Sequence, residues 1–171
     1  VSVGSALGSP SATTISAWVR HDNLTALVNR YINFANNVVI RHDGLNSVGQ
    51  LHFFIRTGGG IARHLRVDGA LTNSTWYHVT GTWDGTTQRV YLDGQERASQ
   101  VPPAGTLYTP GDGTFSAAGE TMDGRIDEVR VSKAVRSPDW IKAEYVNQNS
   151  PTTNVTFDPP PTLWTWTGLD A

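Results

Sequence analysis

Six Asp-Gly dipeptides punctuate the chain and limit its fold more than any other feature. They fall at residues 43–44, 68–69, 84–85, 93–94, 112–113 and 123–124. Because glycine adopts a positive φ without steric cost, Asp-Gly is typical of tight turns between strands. Short runs between the turns alternate apolar and polar residues with period two, at 14–20, 50–56 and 76–83. This pattern predicts an all-β, two-sheet antiparallel sandwich or jelly roll.

The clearest local prediction is a three-strand meander. A strand over residues 76–83 is followed by the turn at 84–85, a second strand over 88–92 and a second turn at 93–94. Two turns this close together leave no length for a helix, so the three strands are expected to be neighbours in one sheet.

One short helix is predicted near the C-terminal end of the sandwich. Ser137 can cap its first turn, and Pro138 fits the first helical position. Ile141 and Tyr145 are one turn apart, so both face the same side. The run of polar residues at 147–151, which closes with a proline, is expected to end the helix.

The last twenty-one residues differ in character from the rest, so we divide the chain into a domain over 1–150 and a tail over 151–171. Residues 158–161 form a Pro-rich spacer, and Leu163–Thr167 again alternates like a strand. Three interpretations stay open. The tail is a linker, the start of a following module, or a docking strand (residues 159–171) that completes the sheet of a neighbouring copy.

Composition excludes several classes of function. The formal net charge is −2, which gives no basic footprint for nucleic acid. No stretch approaches the roughly 20 apolar residues that span a bilayer. The absence of cysteine excludes disulfides, thiolate metal sites and a cysteine nucleophile.

Four motifs in order resemble the laminin-G-like jelly-roll domains of the concanavalin A-like lectin/glucanase superfamily. They lie at 14–20, 75–85, 90–94 and 122–131, and the resemblance covers about residues 1–150. It implies two packed antiparallel sheets with a short helix after them, and secretion or display at the cell surface. Domains of this fold include lectins, carbohydrate-binding modules, adhesion domains and some glycosidases.

The resemblance also implies a metal ligand. Asp127 resembles the carboxylate in the last long strand that binds a structural Ca²⁺ in many relatives, and hard oxygen ligands suit that ion. The alternative is that Asp127 forms an ion pair with Arg125 or Arg130 on the surface of the sheet.

Catalysis is not expected. A retaining glycosidase needs two carboxyl groups about 5 Å apart, and the four glutamates lie in four different segments. Asp127 and Glu128 are adjacent, so on a regular strand they point to opposite faces. The five histidines show no spacing typical of a metal site.

Sugar recognition would use aromatic faces and polar side chains. Trp18, Trp76 and Trp83 match core positions of the family. Polar and aromatic residues outside the strand patterns are the predicted ligand contacts, namely His21, Asn23, Arg30, Tyr31, His42, Arg63, His64, Tyr108 and Asp112. Arg56, Arg63 and Arg66 suit an anionic polysaccharide, or else they form a solvated face.

These observations favour a non-catalytic recognition or adhesion module for carbohydrate within a secreted or surface protein. The alternative is a structural subunit of an extracellular filament or surface assembly that docks through its tail. A glycoside hydrolase is the third hypothesis.

Overall fold

The computed structural model of the protein describes residues 2, 4–5, 7–57, 60–103, 105–108, 111–116 and 120–151. Over these ranges the chain forms ten strands and one helix. The strands are β1 (Thr13–His21), β2 (Val28–Phe34), β3 (Val38–Asp43), β4 (Leu51–Thr57), β5 (Ile61–Val67), β6 (Trp76–Trp83), β7 (Gln88–Leu92), β8 (Gln95–Gln100), β9 (Gly113–Phe115) and β10 (Gly124–Ser132), and the helix is α1 (Pro138–Asn149).

The strands pair into two antiparallel sheets of five. The helix-side sheet has the order β10-β1-β6-β7-β8, and the opposite sheet has the order β5-β4-β3-β2-β9. Every pairing between neighbouring strands is antiparallel. The predicted all-β sandwich with one short helix is confirmed.

The meander is also confirmed, with β6 over the predicted residues and β6, β7 and β8 adjacent in the helix-side sheet. Only two residues, Asp93 and Gly94, join β7 to β8, and both have positive φ angles of 53° and 74°. This is the conformation that a two-residue hairpin requires, because its twist matches that of the flanking strands.

The core lies between the two sheets. Its fully buried members come from alternate positions of both sheets and include Ile15, Ile40, Phe53, Val79 and Trp83. The core prediction therefore holds for Trp83 but is wrong for Trp76 and Trp18. Trp76 is 40% exposed, and Trp18 is half-buried on the outer face, where it contacts α1.

Helix α1 begins as the sequence predicts. The Ser137 hydroxyl accepts a hydrogen bond from the Trp140 amide at 3.2 Å, and Pro138 is the first helical residue. Ile141 is fully buried against the sandwich. The helix contacts β8 and the turn before it, and both its first turn and its C-terminal end line clefts with β10, so it lies over the outer face of the helix-side sheet.

Within the part of the chain that the structure describes, no helix has the length and apolar character needed to cross a membrane. The tail from residue 152 onward, with the strand predicted at Leu163–Thr167, lies outside the described residues. The division at residue 150 and the docking role of the tail stay predictions.

Candidate functional site

A β-bulge interrupts β10 where it pairs with β1. Ser16 lies opposite Arg130 and Trp18 lies opposite Asp127, so β10 has two residues where β1 has only Ala17. One of the two is Glu128, whose φ is 48°. A left-handed conformation costs free energy in a residue with a Cβ atom, and such residues are concentrated at functional sites.

The bulge changes the direction of two acidic side chains. Asp127 and Glu128 line the same cleft, whereas regular alternation would place them on opposite faces. The sequence-based expectation of opposite faces is therefore wrong, because an extra residue shifts the alternation at this point.

The cleft lies between β10, β1, β6 and the C-terminal end of α1. Its volume is about 510 Å³, and we call it the tryptophan cleft. Its lining combines aromatic rings with carboxylate and amide groups and includes Trp18, Trp76, Asp127, Glu128, Asn147 and Asn149.

The Trp18 ring is held by α1. Its indole Nε1 donates to Gln148 Oε1 at 2.5 Å. The ring also stacks on Tyr145, with ring centroids 5.7 Å apart and an angle of 27° between the planes. Trp18 is thus a fixed wall of the cleft, whereas the more exposed Trp76 lies on the neighbouring strand β6.

A buried carboxylate fastens α1 to the sheet. The side chain of Glu144 is only 2% exposed, and its Oε1 accepts a hydrogen bond from Arg130 Nη1 at 2.5 Å. Arg130 Nη2 also lies 2.9 Å from Glu128 Oε2. Burial raises the pKa of Glu144, and the hydrogen bond from Arg130 opposes this rise. Arg130 therefore links the bulge to the helix that closes the cleft.

Asp127 forms no ion pair with Arg125 or Arg130. Its Oδ1 accepts instead from the backbone amide of Glu128 at 2.8 Å. In the described part of the chain, no three His, Asp or Glu side chains come together in a way that could hold a metal ion. A Ca²⁺ site at Asp127 would also use main-chain oxygens as ligands, and calcium at this residue stays a prediction.

A second surface gathers basic side chains on the outer face of the opposite sheet. Strand register places Arg30 opposite Arg41, Arg41 opposite His52, and His52 opposite Arg66. We call this surface the arginine face, and its members are Arg30, Arg41, His52, Phe54, Arg56, His64 and Arg66. Two predicted ligand contacts, Arg30 and His64, belong to it. Tyr108 lies at its margin, where its amide donates to Arg56 O at 2.8 Å.

Three other predicted contacts are buried and lie within strands, so their placement outside the strand patterns is wrong. His21, Tyr31 and His42 lie in β1, β2 and β3 and are at most 2% exposed. His21 Nε2 and the Tyr31 hydroxyl are 2.8 Å apart. His42 Nδ1 lies 3.0 Å from Asn29 Oδ1. These side chains form an internal polar network rather than a surface for a ligand.

The remaining predicted contacts do not join either surface. Arg63 lies opposite the core residue Ile55, so it points away from Arg56 and Arg66, and the predicted group of three arginines is not formed. Asn23 follows β1 and Asp112 precedes β9; both are exposed, and neither lines the tryptophan cleft or the arginine face.

Comparison with solved structures shows the same fold in larger proteins. The receptor-binding domain of botulinum neurotoxin D is 15% identical, with a TM-score of 0.65 over 84% of this chain. A serotype D ligand-binding domain in complex with N-acetylneuraminic acid is 14% identical, with a TM-score of 0.63 over 80% of this chain. A proposed carbohydrate-binding protein from Bacteroides ovatus is 20% identical, with a TM-score of 0.68 over 82% of this chain.

This chain spans 39%, 36% and 42% of those three chains, respectively. At these identities the likeness shows the fold alone. No curated protein matches the sequence.

A family comparison gives the more specific result. The laminin-G-like family described as the concanavalin A-like lectin/glucanases superfamily matches residues 1–142, which is most of the chain and includes all ten strands. The chain therefore belongs to the laminin-G-like domains of the concanavalin A-like lectin/glucanases superfamily.

Proposed function

We propose that the protein is a non-catalytic carbohydrate-recognition module and that the tryptophan cleft is its sugar site. One observation carries this proposal: two tryptophans and a set of carboxylate and amide groups line a single cleft. The C–H bonds on one face of a pyranose ring are attracted to the negative face of an aromatic ring. Carboxylates and amides bind the hydroxyl groups at the edge of the ring.

The construction of the cleft supports this proposal. Trp18 is held by a hydrogen bond and a stacking contact, so little side-chain entropy is lost when a sugar packs against it. Two of the similar solved proteins are described by their carbohydrate ligand or their carbohydrate-binding role. The setting that we propose is extracellular, in a secreted or surface protein.

The carboxylates of the cleft favour binding over hydrolysis. A glycosidase needs one carboxyl group that holds a proton as general acid. Glu128 Oε2 instead lies 2.9 Å from Arg130 Nη2, so this carboxyl group is engaged in an ion pair. Asp127 Oδ1 accepts from the Glu128 backbone amide at 2.8 Å, so it is also engaged within the bulge.

We expect Trp76→Ala to weaken glycan binding about tenfold or more, because it removes a partly exposed aromatic wall of the cleft. A glycan array with the full chain would identify the ligand, and titration calorimetry with that glycan would measure Kd. The matched control is Trp140→Ala, since Trp140 is similarly exposed at 37% but lies outside the cleft. The control should bind with an unchanged Kd.

The proposal would be overturned if both variants lost the same affinity, or if the parent chain bound no glycan. Incubation of the bound glycan with the protein tests the catalytic alternative. Cleavage that Asp127→Asn abolishes would establish a hydrolase and overturn the non-catalytic assignment.

A further inference from the structure

The arginine face carries more positive charge than its neighbours neutralise. Arg30 pairs with Glu120, and Arg41 lies 2.9 Å from the buried Asp43 carboxylate. Arg56 and Arg66 form no ion pair with any described residue. Four guanidinium groups therefore meet two carboxylates on this surface, although the whole chain has a formal charge of −2.

The arginine face also places like charges next to each other. Three of the arginines and His52 form one row across β2, β3, β4 and β5, with Arg30 directly opposite Arg41. Like charges placed opposite each other on neighbouring strands destabilise a sheet. The row spans about 14 Å, since neighbouring strands are about 4.8 Å apart. Glu120 and Asp43 offset this repulsion at Arg30 and Arg41, so the uncompensated charge of the row lies at Arg66.

Buried polar contacts fix the row in place. His52 is fully buried, and its Nδ1 accepts from Arg41 Nε at 3.0 Å. Its Nε2 lies 3.1 Å from His64 Nδ1, which also faces Arg66 Nη2 at 3.3 Å. Because His64 Nδ1 accepts from Arg66, the proton between the two rings belongs to His52. Both rings are neutral in this arrangement, so the positive charge is confined to the guanidinium groups.

Arg56 is also held in place, by hydrogen bonds to backbone carbonyl groups. Its Nε donates to Asn36 O at 3.1 Å and its Nη1 donates to Gly60 O at 2.8 Å. Its Cζ lies 5.2 Å from the centroid of the Phe54 ring. Together with Arg30, Arg41 and His64, these residues line a shallow cleft of about 270 Å³. An anion that enters this cleft meets guanidinium groups that are already positioned.

We propose that the arginine face is a second, separate binding site, for the carboxylate or sulfate groups of an acidic polysaccharide. The guanidinium groups of Arg56 on β4 and Arg66 on β5 pair with the anionic groups, and the chain of the polysaccharide crosses the arginine face between these two positions. The arginine face and the tryptophan cleft lie on opposite faces of the sandwich. One copy of the module therefore binds two glycan chains at once and links an acidic polymer to a second carbohydrate.

The test uses the full chain and four probes: polygalacturonate, dextran sulfate, neutral dextran and single-stranded DNA. Arg56→Gln/Arg66→Gln removes the two unpaired guanidinium groups, and we expect it to weaken binding to the acidic polysaccharides about tenfold or more in titration calorimetry. Arg97→Gln/Arg125→Gln is the control. It removes the same charge from exposed positions on the helix-side sheet and should leave the affinity within about twofold.

Polygalacturonate carries carboxylates and dextran sulfate carries sulfates, so the two probes show which group is recognised. Binding of either probe supports the site if neutral dextran does not bind. Binding should weaken as salt concentration rises, and less steeply in Arg56→Gln/Arg66→Gln. Three results would overturn the proposal: no binding of either acidic polysaccharide, equal losses in the control, or tighter binding of DNA. Trp76→Ala should bind the acidic probes like the parent chain, which separates this site from the tryptophan cleft.

Discussion

Lowering the pH from 7 to 4 should reduce the free energy of unfolding by several kcal/mol, because buried histidines are neutral in the folded protein. Burial lowers the pKa of His21 to about 4, and the neighbouring His42 adds to this effect. Burial and then the charge of Arg130 lower the pKa of His78 to about 4, and these effects outweigh the Glu144 carboxyl group 3.7 Å from its Nε2. The two side chains are 2% and 1% exposed.

The sign follows from proton binding. Each histidine regains its ordinary pKa of 6.5 when the chain unfolds, so below that pH the unfolded state binds more protons than the folded state. Above pH 6.5 the two histidines therefore do not reduce the free energy of unfolding. As the pH drops toward 4, each of them reduces it by about 3 kcal/mol. Losses of this size approach the total stability of an ordinary domain.

Urea denaturation at pH 7, 5 and 4 measures this loss. The double variant His21→Phe/Tyr31→Phe replaces both partners of a buried hydrogen bond by apolar groups, which is tolerated better than removing one partner. It should lose about 3 kcal/mol less between pH 7 and 4 than the parent chain. If the parent chain has the same free energy of unfolding at pH 7 and pH 4, the assignment of neutral buried histidines is wrong.

The fold was predictable because its signals are local. Alternation and the turn at Asp93-Gly94 fix strands and hairpins without knowledge of distant contacts. The helix start at Ser137 and Pro138 is equally local. Local rules also indicate that Trp76 is exposed, because Val79 and Trp83 face the core and Trp76 has the opposite parity on β6. The family match of the tryptophans to core positions obscured this signal.

The candidate sites depend on features that the sequence does not display. A bulge in β2 lies between Arg30 and Ile32, and it lets Tyr31 and Ile32 both reach the core. Tyr31 therefore does not follow the alternation of a regular strand. The bulge at Glu128 in β10 brings Asp127 and Glu128 into one cleft in the same way. No single residue type marks either bulge, because the position of a bulge depends on pairing with a distant strand.

The row of arginines was missed for a related reason. Strand parity shows that Arg41 points to the outer face, but only the register of four strands places it beside Arg30 and across from His52. Register between strands is set by packing of the whole sheet. The sequence indicates Arg30 as a candidate contact but not Arg41, and sequence spacing alone cannot pair them.

Gly81→Ala should destabilise the protein by about 1–3 kcal/mol, because it adds a methyl group to a filled core. A Cβ atom at Gly81 would lie 2.6 Å from Cδ2 and Cε2 of Phe53, a fully buried ring of the opposite sheet. Gly81 pairs with Ile15 on one side and Val90 on the other, so β6 cannot move without disturbing both neighbours. The free energy of unfolding in urea at pH 7 measures the loss.

A double-mutant cycle with Phe53→Leu tests whether the Phe53 ring is the cause. Phe53→Leu alone removes ring atoms and leaves a cavity, which is destabilising in its own right. In that background the methyl group added by Gly81→Ala fills space instead of meeting a ring, so the two losses should be less than additive by about 0.5–3 kcal/mol. Strict additivity would show that the cost of Gly81→Ala arises from the backbone of β6. The expected coupling would establish that Gly81 is required because the opposite sheet places an aromatic ring directly over it.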